Sequence, residues 1–188
     1  MPHGNPGVSF ETSPASGKPA GSPHKVSRLA VVWLPLLAGT LPVLLLDQLS
    51  KVYVSHHFFP YRGWPLIPNW FDLTFTTNPG AAFSLFAGGP PWVRTAFLCA
   101  TAAVAAIIVV VLLLRGQETR LTAWGLALIL SGAVGNLIDR LRLGVVVDFI
   151  DVHYYSHHYP VFNLADCAIT IGVGLILLSA LRRSRQSS

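Results

Sequence analysis

Four long apolar segments constrain the fold of this 188-residue chain more than any other feature. Three contain no charged side chain and the fourth contains only Asp166; they cover residues 29–46, 95–114, 121–138 and 161–181. Crossing the roughly 30 Å hydrocarbon core of a bilayer takes about 20 helical residues, and backbone groups in lipid must be satisfied within the protein. The sequence therefore predicts four transmembrane helices, near residues 29–50, 93–115, 121–140 and 161–181. Pro35 and Pro42 interrupt the first segment and are expected to kink its helix.

The composition agrees with a membrane protein. Charged residues make up only 11% of the chain and hydrophobic residues 52%, with a mean hydropathy of +0.55, whereas an ordinary soluble domain carries about 25% charged residues. The net charge of +5 comes from basic residues that flank apolar segments, which indicates membrane topology rather than a nucleic-acid partner. The two cysteines lie in apolar runs, so a disulfide scaffold is not expected.

The distribution of Lys and Arg predicts the orientation. Eight basic residues lie on the side of the tail, the 115–120 turn and the C-terminus, and five lie on the opposite side. Because cytoplasmic segments are enriched in basic residues, both termini are expected in the cytoplasm. Residues 1–28, rich in Pro, Gly and Ser, are expected to form a disordered tail, and residues 182–188 a basic cytoplasmic tail.

The outward loops are expected to hold a small sheet lying against the membrane. Residues 70–77 alternate apolar and polar side chains, which is typical of a strand. Asn78-Pro79-Gly80 is a turn signal, and residues 81–85 are a candidate return strand. The predicted fold class is thus an all-α membrane core of four helices with an outward-facing β-rich cradle.

Acidic side chains gather at the outward ends of the predicted helices. Five of the eight acids lie there or in the connection between the third and fourth helices: Asp47, Asp139, Asp148, Asp151 and Asp166. Ionisable groups at membrane depth are costly and usually have a partner or a function. Asp47 and Lys51, four residues apart, are predicted to form a structural ion pair. An amide and a carboxylate recur three apart at two helix ends, as Asn136 with Asp139 and as Asn163 with Asp166.

The acids offer one form of catalysis. Asp148 lies in an apolar run, where desolvation raises the pKa of a carboxyl group. Two carboxylates that meet in such a place share a proton, so that one activates water and the other protonates a leaving group. Asp148 and Asp166 are the candidates, since both are expected near the same membrane face.

Metal chemistry has weaker support. His153 and His157 have the spacing of one helical turn, with His158 beside them, but an interfacial aromatic loop is the favoured interpretation of this segment. No zinc-peptidase motif, nucleophile elbow or Walker loop occurs in the sequence, and no cofactor or metal is expected.

Four motifs, in order, resemble those of the lipoprotein signal peptidases, also called signal peptidase II, which are bacterial membrane aspartic peptidases. They are Asp47-Gln48-Leu49-Ser50-Lys51, Asn78-Pro79-Gly80-Ala81-Ala82-Phe83-Ser84, Gly132–Arg140 continuing to Val147-Asp148-Phe149, and Phe162-Asn163-Leu164-Ala165-Asp166. The resemblance covers residues 29–181 and implies a four-helix membrane peptidase domain over that range. Ser131, Pro79 and Cys167 depart from the family pattern, without removing a carboxylate or amide of the implied site.

The resemblance also implies roles for residues. Asp148 and Asp166 would be the catalytic pair, and Asp47 and Lys51 would stabilise the site. Residues that line or support it would be Asn78, Gly80, Asn136, Arg140, Asn163 and Ala165. Asp139 is a rival for Asp148, although its expected role is to orient Arg140 or a neighbouring loop.

The implied function is that of a membrane aspartic endopeptidase. It would cleave the signal peptide from a diacylglyceryl-modified prolipoprotein, just before the lipidated cysteine, at the outer side of the bacterial cytoplasmic membrane. Its partners would be this substrate and membrane lipid, and the chain would act as a monomer. Two other hypotheses stay open at this point: a small polytopic transporter, whose acids would bind ions or protons, and a non-catalytic membrane scaffold held together by glycine packing.

Overall fold

The computed structural model describes residues 32–60, 62–80, 90–116 and 118–186. Within these ranges it contains four helices long and apolar enough to cross a membrane, and a four-stranded antiparallel sheet. The predicted fold class is confirmed. The tail predicted for residues 1–28 and the return strand predicted for residues 81–85 lie outside the described residues.

The first helix, α1, runs from Val32 to His57, seven residues beyond the predicted end near residue 50. Its extension is explained by Asp47, Lys51 and Val54, which recur at helical spacing and are all buried. The prolines are expected to kink this helix. The structure has a π-helical stretch over Pro35–Thr40, in which the helical turn is wider than in an α-helix.

The other helices are α2 (Pro91–Arg115), α3 (Arg120–Leu143) and α4 (Leu164–Gln186). Helix α3 begins with a cap in which the Thr119 hydroxyl accepts a hydrogen bond from the amide of Thr122. Helix α4 starts three residues later than predicted because Phe162 pairs with Ile150 of the sheet. It also continues to Gln186, so most of the predicted separate basic tail is the last turn of this helix.

Helix α3 occupies the centre of the bundle and packs against all three other helices. It shares a buried apolar cluster with α2: Val109, Leu113, Ala123, Leu126 and Leu130. Its approach to α4 is very close, because a Cβ atom at Gly132 would overlap the backbone carbonyl of Ala165. This contact holds the middle of α3 against the beginning of α4.

The sheet has the strand order β1 (Trp64–Ile67), β2 (Phe71–Asn78), β3 (Val146–Tyr154) and β4 (His157–His158). The strand predicted at residues 70–77 is present as β2, paired with β1 and β3. Between Leu73 and Thr76 the β2–β3 register shifts by one residue, just before Thr76 pairs with Asp148. A bulge of this kind redirects the adjacent side chains, and here it lies beside Asp148.

We predict that Gly132→Ala destabilises the protein by about 1–3 kcal/mol, the usual cost of inserting a methyl group into a packed contact. Gly174→Ala is the matched control, because a Cβ atom at Gly174 in α4 meets nothing within 4 Å. Thermal unfolding in detergent, followed by tryptophan fluorescence, measures both variants. Equal melting temperatures for the two would contradict the close α3–α4 contact.

Candidate active site

The carboxyl groups of Asp148 and Asp166 are joined by one residue, Asn163, through its side chain and its backbone. The Nδ2 atom of Asn163 donates to Oδ1 of Asp148 at 2.6 Å, and the Asn163 backbone N–H donates to Oδ2 of Asp166 at 3.3 Å. The other oxygen of Asp166, Oδ1, accepts a hydrogen bond from Nδ2 of Asn136 at 2.9 Å. A strand residue and a helix residue, eighteen positions apart in sequence, are thereby brought into one polar site.

Asp166 is positioned by the start of α4. Asn163 immediately precedes the helix, and its Oδ1 atom accepts the Asp166 backbone N–H at 3.0 Å. Because Asp166 accepts the Asn163 amide in return, the two residues form a reciprocal cap of the kind that satisfies the free amides at a helix N-terminus. The spacing of three between amide and acid in the sequence thus has a structural cause.

Asp148 is positioned by β3, which is buried from Val146 to Phe149. A hydrogen bond from the Asn78 side chain also reaches Asp148. Asn78 is held by a turn in which its Oδ1 accepts the Gly80 amide at 2.9 Å, and Gly80 has a φ of +86°, which favours glycine. The predicted turn at Asn78-Pro79-Gly80 therefore supplies a partner for a buried carboxyl group.

The pKa of Asp148 is raised from 3.8 to about 6. Burial is the main cause, because it disfavours the charged form, and the negative charge of Asp166 adds to it. Hydrogen bonds from Asn78 and Asn163 and the charge of Lys51 act in the opposite direction. Asp148 therefore holds a proton far more readily than an exposed aspartic acid does.

Lys51 lies in a buried polar cluster beside this pair. Its Nζ atom is 2.9 Å from Oδ2 of Asp47, 2.9 Å from Oδ2 of Asp139 and 3.0 Å from Oδ1 of Asn136. The predicted Asp47–Lys51 pair is present, and it is part of a larger set. Since Asn136 also donates to Asp166, the cluster is connected to the candidate catalytic pair.

Asp47 and Asp139 attach different elements to this cluster. Oδ1 of Asp47 accepts the Ala165 backbone N–H at 2.9 Å, which ties α4 to α1. Oδ2 of Asp139 accepts the Val147 backbone N–H at 3.2 Å, next to Asp148. Asp139 thus contacts strand β3 and not a loop, whereas the Arg140 guanidinium donates to the Asn136 carbonyl oxygen at 3.3 Å.

Gln48 is a member of the site that sequence reasoning missed. Its Nε2 atom lies 3.2 Å from oxygen atoms of Asp47, of Asp139 and of the Gly135 backbone. It stands inside the first quoted motif, between the two residues predicted to pair. Its position next to Asp47 could have identified it from the sequence, because a buried amide side chain needs hydrogen-bond partners.

The histidines are arranged differently from the helical spacing considered above. His153 lies on β3 and His157 and His158 lie on β4, so the segment is a hairpin. His153 faces Asp72 and His158 faces Asp151. Across the residues that the structure describes, no three His, Cys, Asp or Glu side chains form a group that could hold a metal ion.

Comparisons with known proteins agree with this architecture. A family described as signal peptidase (SPase) II matches residues 40–182. A lipoprotein signal peptidase of Pseudomonas putida is 41% identical over 174 residues, covering 92% of this chain and 95% of that protein. One from Syntrophus aciditrophicus is 41% identical over 147 residues, covering 78% and 91%. A bacterial membrane enzyme solved by the in meso method at 2.3 Å resolution has a TM-score of 0.69 at 27% identity, covering 81% of this chain and 90% of that one.

Four membrane-spanning helices with a polar site at one end define a multi-pass bacterial membrane protease. The match over most of its length places the chain in a particular group: it belongs to the signal peptidase II family.

We predict that Lys51→Met destabilises the protein by about 3–5 kcal/mol, because two buried carboxylates lose their cation. Arg142→Met is the control: it removes the same charge from an exposed position on α3, where surface substitutions usually change stability by less than about 0.5 kcal/mol. Thermal unfolding in detergent is the measurement. Equal melting temperatures of the two variants would show that Lys51 does not stabilise the protein through this cluster.

We predict that Asp148→Asn stabilises the protein at pH 7 and above. The folded-state pKa of about 6 exceeds the unfolded value of 3.8, so the parent loses stability as the pH rises through that interval. A difference of about two pKa units corresponds to about 3 kcal/mol, which the uncharged variant retains.

Near pH 4 the two proteins should unfold alike, because Asp148 is then protonated in the folded parent. Glu118→Gln, in the turn before α3, controls for the loss of one acid. A melting temperature of Asp148→Asn at or below that of the parent at pH 8 would contradict the raised pKa.

Proposed function

We propose that the chain removes signal peptides from diacylglyceryl-modified prolipoproteins, cleaving the peptide bond just before the lipidated cysteine. The substrate class is supported by the relatives, which are named lipoprotein signal peptidases. The observation that carries the chemistry is the pair of carboxyl groups, Asp148 and Asp166, held by Asn163 in a partly desolvated site.

The proposed mechanism is that of a metal-free aspartic peptidase. The raised pKa of Asp148 supports this residue as the one that holds the proton at rest, and Asp166 is the general base of the proposal. Asp166 takes a proton from water, whose oxygen attacks the scissile carbonyl carbon. Asp148 gives its proton to the departing amine nitrogen as the carbon–nitrogen bond breaks. One proton then moves from Asp166 to Asp148, which restores the starting protonation of the pair.

The remaining polar residues have supporting roles in this proposal. Asn163 and Asn136 orient the carboxyl groups, and Asn78 steadies Asp148. Arg140 and Asn136 line a cavity of about 320 Å³ that also contacts α2 and α4 through Leu98 and Ile169. Because Asn136 also donates to Asp166, this cavity is a suitable place for a part of the peptide that flanks the scissile bond. Gly80 and Ala165 contribute backbone N–H groups that hold Asn78 and Asp47. Asp47, Lys51 and Asp139 hold α1, α3, β3 and α4 together around the carboxyl pair.

The proposed topology places both termini in the cytoplasm and the carboxyl pair near the outer face. The excess of basic residues on the side of the termini supports this orientation. The carboxyl pair lies where α1 and α3 end and α4 begins, which is the opposite side. The substrate helix would enter from the lipid with its acyl chains left in the bilayer, and the enzyme would act as a monomer.

Asp148→Asn and Asp166→Asn are each expected to reduce cleavage by at least about a thousandfold, since removal of a catalytic acid or base abolishes proton transfer. Purified protein in detergent is incubated with a diacylglyceryl-modified prolipoprotein, and the product is followed by a gel shift. Glu118→Gln is the control that keeps both catalytic carboxyl groups.

A chelator is included in a parallel reaction and is expected to have no effect. Full activity in either aspartate variant, at equal amounts of folded protein, would refute the assignment of the pair. Activity lost only with chelator would replace the aspartic mechanism with a metal-dependent one.

A further inference from the structure

A second cluster of titratable groups lies on the sheet, outside the carboxyl pair. Asp72 of β2 is opposite Asp151 of β3, and His153 of β3 is opposite His158 of β4. His153 Nε2 is 3.3 Å from Asp72 Oδ1, and His158 Nδ1 is 2.9 Å from Asp151 Oδ1. The two imidazole rings stack with their centroids 4.6 Å apart and their planes at 17°. The four side chains therefore connect three strands.

The protonation of His153 follows from its contacts. Its Nδ1 lies 3.0 Å from the Tyr155 carbonyl oxygen, and a carbonyl oxygen only accepts, so Nδ1 carries a hydrogen. A neutral His153 would then present the bare lone pair of Nε2 to Asp72. Both facing atoms are buried, and neither has another hydrogen-bond partner among the described residues. Only the imidazolium form gives Nε2 a hydrogen to direct at the carboxylate.

The charges around His153 favour the same form. Asp72 and Asp151 are like charges directly opposite each other, an arrangement that destabilises a strand pair unless a cation lies beside it. The pKa of His153 is accordingly raised above 6.5, first by the hydrogen bond to Tyr155 and then by the carboxylate of Asp72, against a lowering effect of burial. Nδ1 of His158 faces the other carboxylate, at 2.9 Å from Oδ1 of Asp151.

Three of the four members, all except Asp72, lie on the chain segment that connects the two candidate catalytic residues. Asp151 follows Asp148 by three positions on β3, and His158 precedes Asn163 by five. The intervening hairpin turns at Tyr155, which has a φ of +53°, and returns through the pairing of Phe162 with Ile150. A change in how β3 and β4 are held is therefore transmitted through the backbone to Asn163.

We propose that His153, as an imidazolium held between Asp72 and the Tyr155 carbonyl, is a positioning residue that clamps this hairpin and so sets the geometry of the carboxyl pair. Side chains alternate along a strand, so His153 and Asp148 project from opposite faces of β3 and the effect passes through the backbone. The catalytic part of this proposal rests on the proposed function. Because the histidine pKa is raised in the folded state, the clamp is complete below about pH 6.5 and is lost as the pH rises through the folded-state value.

The test compares His153→Gln, which keeps hydrogen-bond donors without titrating, with His153→Arg, which keeps a positive charge at every pH. His57→Gln is the matched control, because His57 also lies 2.8 Å from a backbone carbonyl oxygen and stacks on a ring, at the end of α1 rather than in the hairpin. The pKa of His153 is measured by NMR on ¹³C-labelled histidine in the parent and in Asp72→Asn. Hydrogen exchange of peptides from residues 146–163, corrected for intrinsic rates, reports the order of the hairpin.

His153→Gln is expected to lower exchange protection in residues 146–163 and to lower kcat by about tenfold with a smaller change in KM, since small misplacements of reacting groups act mainly on the chemical step. His153→Arg should restore both. It should remove from the kcat profile the decline that matches the His153 pKa in the parent, and leave the decline caused by deprotonation of Asp148, whose pKa is about 6. Asp72→Asn should bring the His153 pKa down toward 6.5, and His57→Gln should change none of these quantities.

The clamp is refuted if His153→Gln leaves exchange and kcat unchanged, or if kcat per folded molecule is unchanged while only the melting temperature falls. The failure of the proposed function has a different signature. In that case Asp148→Asn and Asp166→Asn retain activity, whereas the NMR and exchange measurements still report on the hairpin.

Discussion

The Lys51 ammonium group lies in a buried space where two carboxylates and one amide oxygen each approach within 3.0 Å. Both carboxylates also accept a backbone N–H that places another element: Asp47 holds the α4 N-terminus through Ala165, and Asp139 holds β3 through Val147. Desolvating three charges is expensive, and only complete hydrogen bonding offsets that cost. The same requirement makes the arrangement specific, because a shift of any one element leaves a buried charge without a partner.

The candidate catalytic pair is held in place by these contacts of Lys51, Asp47 and Asp139, but one of its members, Asp148, lowers the stability of the fold. Asp148 is held in a place where its ionised form is disfavoured, so the free energy of unfolding is reduced at neutral pH. The loss is tolerated because the surrounding contacts fix the backbone of both residues: the bulge and the Asn78 turn on one side, and the α4 cap on the other. Strained or unfavourable states persist at functional sites when their surroundings determine them in this way.

The sequence was sufficient for the membrane class, the four helices, the strand at residues 70–77 and the Asp47–Lys51 pair, because these features depend on local pattern and spacing. It did not reveal strand β3, whose buried run from Val146 to Phe149 has no alternation and resembles any short apolar stretch. It also missed the role of Gln48 and the link from Lys51 to Asn136, which span 85 or more positions. The spacing of four between His153 and His157, considered only as a weak metal hypothesis, arises from a hairpin and not from a helix.

Strand β3 matters because it gives Asp148 surroundings that differ from those of Asp166. A pair supplied by two transmembrane helices would have similar surroundings, whereas here Asp166 lies in the first turn of α4 and accepts two N–H donors. Asp148 lies on a buried strand outside the spanning segments, with desolvation as the dominant influence on its pKa. Unlike surroundings are the condition under which one acid of a pair can act as a base and the other as an acid. A small sheet attached to a helical bundle therefore supplies an asymmetry that the bundle alone would provide poorly, and Asn163, in contact with both acids, keeps them within one site.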